Sequence, residues 1–185
     1  MWLLVSGLVI FFGTHLAPGA LGLRPLLVEK LGEGRFRGLY IAGSVIGMLT
    51  IIGGKAYAPY IGIYFPPVWA KPVVPVMMAV ACILLAALFI PSNLRRLTRH
   101  PMLWAVSLWS AAHLLANGDL ASIALFGGFG AYALISMWSL NRRGKKKDTT
   151  RYARLNDGLI VVAGLGMFVG GALLHPYIVG VPALL

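Results

Sequence analysis

Four histidines, His15, His100, His113 and His175, together with Asp119 and Cys82, are the side chains able to do ligand or acid–base chemistry within stretches that are otherwise apolar. An ionisable group in hydrocarbon costs several kcal/mol, so each is a functional candidate by default. His15 lies in "FFGTHLAPGALGLR", three residues before Pro18, where a bend can free backbone groups. Two roles fit it: a neutral imidazole bonded to a helix carbonyl, or a ligand. His100 stands between Arg99 and Pro101, and proline is a normal first residue of a helix. Arg99 and His100 then either face lipid headgroups or border a site.

His113 follows His100 by thirteen residues, about 140° around a helix and about 20 Å along it, so the two cannot share one small site on that helix. Asn117 is four residues on, on the same face as His113, and can orient the imidazole as a metal site requires. In "ANGD" the Asn-Gly step is a turn signal and Asp119 reads as a helix cap more readily than as an acid. His175, beside Pro176 and Tyr177, suits an interface. Cys82 has no partner in the chain and reads as a packing residue. No Cys/His pair has zinc spacing, and H-E-x-x-H, a Walker loop and G-x-S-x-G are all missing. What remains is histidine ligation of a hydrophobic cofactor, and haem fits best.

The elements that position these residues are apolar. Of 185 residues, 59% are hydrophobic and 11% charged, about half the charge of a soluble domain. The expected fold is an all-α, polytopic membrane helix bundle forming one domain over 1–185, with six spans near 2–22, 38–54, 72–91, 101–117, 119–140 and 158–180. The N-terminal run lacks a basic leader and a cleavage site, so it reads as a retained span. "YAPYIGIYFPPVWAKP" suits an interfacial loop. In "FGGFGA" the small residues favour close helix packing.

Lys and Arg alternate along the connections: fourteen in the odd-numbered ones and only Lys55 and Lys71 in the even ones. This predicts basic loops in the cytoplasm and both termini on the periplasmic side of a bacterial inner membrane. The run "NRRGKKKDTTRYARLND" reads as a topology anchor meeting anionic lipid, or as a partner-docking loop. With the net charge of +11 confined to loops, no nucleic-acid partner is expected.

"GTHLAPGALGLR" and "RHPMLW" followed by "AHLLANGDLAS" resemble the NnrU family of bacterial inner-membrane proteins over nearly the whole chain. The resemblance implies a link to denitrification, through expression or activity of nitrite and nitric oxide reductases, with those reductases or their assembly machinery as partners. The family is similar to the haem-dependent 15-cis-zeta-carotene isomerase, whose two haem histidines fall on His15 and His113. The isomerase has a cysteine three residues before the second; here Ser110 stands there. On this reading Arg99 and His100 lie near a haem propionate or an entering substrate, and an isomerase-like or redox enzyme is one outcome. "RHP" also resembles isoprenylcysteine and phospholipid methyltransferases, but the paired C-terminal glutamates of those enzymes are missing. A non-catalytic assembly factor or scaffold, its histidines only packing helices, is the alternative of a different class.

Overall fold

The computed structural model describes residues 1–183, and these are all-helical, with no strand among them. The helices are α1 (Trp2–Leu16), α2 (Arg24–Leu31), α3 (Glu33–Ala56), α4 (Ala70–Ala86), α5 (Leu94–Leu97), α6 (Pro101–Ala116), α7 (Leu120–Arg142) and α8 (Arg154–Val179). Three of them, α3, α7 and α8, are long and apolar enough to cross a membrane. The other long apolar helices, α1, α4 and α6, have 15, 17 and 16 residues, short of the ~20 that a bilayer core asks of an untilted helix.

All six expected segments contain a helix, with shifted ends. The first stops at Leu16, not at 22, because Pro18 brings no N–H and the chain turns through Gly19 and Gly22, the latter at φ 70°. The fourth helix ends at Ala86, where the chain turns and the Arg95 guanidinium takes the carbonyls of Ala87 and Leu88 at 2.8–3.0 Å. The glycine-rich second segment lies inside the longer α3.

The helices pack in the order α8, α4, α6, α7, α1, α3, with α7 also touching α3. Helix α7 is the most enclosed: 28% of its apolar window is buried, against 11% in α3 and in α8. Outward residues such as Val9, Leu49, Val162 and Leu173 are more than 60% exposed. An apolar surface of that extent suits lipid, not water.

Glycines set the closest contact. Gly43, Gly47 and Gly54 recur on one face of α3, and Gly7 faces them from α1. A Cβ at Gly47 would lie 2.8 Å from the Phe11 nitrogen, and one at Gly7 2.6 Å from that of Ile51. Backbones can approach this closely only where side chains are missing. The pairing is antiparallel and places the C-terminal end of α1, with His15, beside the start of α3.

The layer has two unlike ends. One carries the 57–69 loop, and the other gathers most of the basic residues. The aromatic loop is exposed at Tyr57, Tyr60 and Phe65. It is pinned to the α6–α7 turn by Ile63 N–H to Gly118 O and Leu120 N–H to Ile61 O, both 2.8 Å. At this end Asp119 caps α7 as expected, accepting from the Ser122 N–H at 2.9 Å. It also accepts from Lys55 Nζ at 3.0 Å, and Lys55 donates to the Ser122 hydroxyl at 2.8 Å.

Candidate functional site

His15 and His113 repeat one local arrangement. Each follows an aromatic residue by four positions, Phe11 in "FFGTH" and Trp109 in "WSAAH". Four residues is one helical turn, so ring and imidazole share a face. Phe11 stacks on His15 with centroids 4.2 Å apart, and Trp109 tilts against His113 at 5.0 Å. The carbonyl of the same aromatic residue meets the imidazole Nδ1, at 2.7 Å for His15 and 2.9 Å for His113. A carbonyl only accepts, so Nδ1 carries a proton, and the tautomer this contact selects has its lone pair at Nε2.

Helix α7 supplies the surface on which both rest. Phe126 stacks on His113 at 4.4 Å, and Tyr132 meets His15 edge-on at 6.0 Å. Six residues separate these contacts along α7, about 9 Å of helical rise. Between them Phe129 touches Phe11 at 5.5 Å, Phe12 at 5.1 Å and Trp109 at 5.6 Å. Phe129 therefore bridges the two histidine-bearing helices. Gly128 makes room for Phe12, and Gly130 for Ser110.

The surroundings of the two imidazoles differ. His15 borders a cleft of about 450 Å³ that opens past Tyr40 toward Arg24, Arg37 and Arg143. Arg24 is paired with Glu33 at 2.6 Å. His113 is half-buried against the rings of Trp109 and Phe126, and one turn before it the buried Ser110 hydroxyl has no hydrogen-bond partner.

Asn117 does not reach the His113 ring; its Nδ2 donates to the His113 carbonyl at 2.9 Å. Arg99 and His100 lie at the start of α6, away from His113. Both donate to Asn141 Oδ1, His100 Nε2 at 3.0 Å and Arg99 Nη1 at 3.2 Å. His175 Nδ1 donates to the Val181 carbonyl and ties down the end of α8. Among the described residues no group of three or more His, Cys, Asp or Glu side chains comes together.

The side-chain types present would suit haem, with two imidazoles bonded through Nδ1 to their own helices, aromatic rings beside them, an unpaired hydroxyl near one and cations near the other, while Phe129 stands between the two helices. The sequence reading missed Phe11, Trp109, Phe126, Phe129, Tyr132 and Asn141. The aromatic residue four positions before each histidine was a readable signal for the first two. The phenylalanines of "FGGFGA", Phe126 and Phe129, carry no such local signal, because their partners lie on other helices.

The family model described as NnrU protein matches residues 3–183. No curated protein and no solved structure matches the chain.

Proposed function

The chain belongs to the NnrU family, and from that premise we propose that it is a six-span inner-membrane protein that supports denitrification and holds haem b through His15 and His113. The observation that carries this reading is the repeated aromatic-histidine unit, in which each imidazole spends its Nδ1 proton on its own helix and keeps Nε2 for a ligand. Bound haem would supply reversible one-electron exchange at iron. The chain's own contribution is to fix both tautomers through the Phe11 and Trp109 carbonyls, to exclude water with an aromatic lining, and to offer Arg37 and Arg143 to carboxylates at the mouth beside His15. Because Phe129 bridges α1 and α6, ligation of one iron by both histidines requires that ring to swing aside.

Absorption spectra of the detergent-purified protein, oxidised and dithionite-reduced, test the reading. A Soret band that shifts on reduction and is lost in His15→Ala and His113→Ala is the expected result. A featureless spectrum after haem-replete expression overturns it.

The filled space around Phe129 favours a second reading, a non-catalytic assembly factor or scaffold for respiratory reductases, with both imidazoles as packing groups. In that case His15→Ala and His113→Ala leave nitrite and nitric oxide reductase activity in cells unchanged.

A further inference from the structure

A second cavity, of about 610 Å³, opens at the basic end between the end of α4, the start of α6 and the 145–148 segment. Five cations line it: Arg95, Arg99, Lys145, Lys146 and Lys147. Its one acid, Asp148, is already engaged, accepting from the Thr150 N–H at 2.8 Å and the Tyr152 hydroxyl at 2.7 Å. Five cations against one carboxylate leave the cavity with an excess of positive charge.

Two of the cations are held in place. Arg95 spends Nε and Nη2 on the carbonyls of Ala87 and Leu88. Arg99 spends Nη1 on Asn141 Oδ1, which buried His100 also holds. The guanidinium donors that remain are available to an outside acceptor. The first turn of α6, with no side-chain cap, borders the same space.

Apart from Thr98 and His100 the rest of the lining is apolar, with Leu88 just past α4, Met102 and Leu103 in the first turn of α6 and Leu140 near the end of α7. A free anion would leave these side chains unused. A ligand with a phosphate at one end and hydrocarbon at the other uses both halves. Oxyanions with several acceptor oxygens satisfy clustered Arg and Lys donors, and basic pockets between apolar helices suit such headgroups.

We propose that this cavity is a one-to-one site for the phosphodiester headgroup of an anionic phospholipid, organised by Asn141 through Arg99 and His100. A diffuse attraction of the whole basic end to an anionic surface would depend on charge alone. A built site depends also on where Arg99 is held.

The test uses the full chain, delipidated in a neutral detergent and titrated with phosphatidylglycerol, phosphatidylcholine, inorganic phosphate and glycerol 3-phosphate, with native mass spectrometry counting bound molecules. One phosphatidylglycerol retained per chain, and no phosphatidylcholine, is expected. Removing cations should weaken retention about fivefold each, so Lys146→Gln/Lys147→Gln loses roughly 25-fold by the same rule. The control Lys30→Gln/Arg151→Gln removes the same charge outside the cavity and should leave retention unchanged. Asn141→Ala, which alters no charge, should weaken it as well. Equal retention of the two lipids, or equal loss in the pocket and control pairs, overturns the site. Binding of inorganic phosphate or glycerol 3-phosphate as tight as that of the lipid overturns the assignment to lipid and leaves a soluble phosphate in its place.

Discussion

At the loop end Lys55 finds a carboxylate and a hydroxyl, and the 61–64 backbone is stitched to the α6–α7 turn. At the basic end the five cations of the second cavity face a single carboxylate, to which the Tyr152 hydroxyl donates. The first arrangement is closed upon itself: its polar groups have partners in the chain. The second leaves donors facing outward, and both the cleft beside His15 and the cation-lined cavity open there. The loop end is thus tied together across its turn, while the two openings lined by several cations lie at the basic end.

The largest effect should come from breaking the loop end. Asp119→Ala removes the cap of α7 and leaves Lys55 without its counter-charge, bonded to the Ser122 hydroxyl alone; the Lys55 side chain is 30% exposed against 10% for Asp119. A lost cap costs about 1 kcal/mol, and a partly buried lysine without its acid adds roughly 2 more. A fall of about 3 kcal/mol in unfolding free energy in detergent is therefore expected. Lys55→Met, which leaves the Ser122 N–H on Asp119, should cost clearly less. Equal losses from the two variants would mean that the ion pair, not the cap, holds this end.

Gly47→Ala comes next. Its methyl would press on the Phe11 backbone, which carries the ring stacked on His15. Overpacking of this kind costs about 2 kcal/mol. Gly166→Ala, with nothing within 4 Å, should stay within about 0.5 kcal/mol of the parent. If Gly47→Ala also lowers haem content while Gly166→Ala does not, the α1–α3 contact positions the histidine as well as the helix.

How much of this was legible follows the separation of partners along the chain. Asp119 as a cap is readable because its donor, the Ser122 N–H, is three residues away. Its pairing with Lys55 is not, because the two stand sixty-four positions apart with three helices between them. The same holds for Asn141, forty-one residues from His100: an asparagine at a helix end is an ordinary polar residue until α6 and α7 are set side by side. The six apolar segments were legible, since composition over ~20 residues is a local property. Where α1 ends was misjudged because the hydropathy of "APGALG" continues while Pro18 and its glycines stop the helix.

Asn141→Ala tests the basic end at smaller cost. Losing the acceptor shared by His100 and Arg99 should lower stability by about 1 kcal/mol. Thermal unfolding of the lipid-free protein reads it. A loss as large as that of Asp119→Ala would erase the contrast between the two ends.

The smallest effect sharpens the contrast most. The hydroxyl of Tyr152, with help from the Thr150 N–H, holds the Asp148 carboxyl below the usual carboxylate range. The contribution of such a group is present above its unfolded pKa and is lost as pH falls through the lower folded value. Asp148 sits on an exposed loop, so no measurable change in global stability is expected, and the readout is its own titration by carbon-13 NMR. Tyr152→Phe should move that titration up, toward the unperturbed value of about 4. Replacing Lys146 and Lys147 by Gln should move it little. If the lysines prove to be what holds it down, they are paired with Asp148, and the cavity has less charge to offer an outside anion. If the tyrosine does, the cations stand free of the chain's own acid, as an open basic end requires.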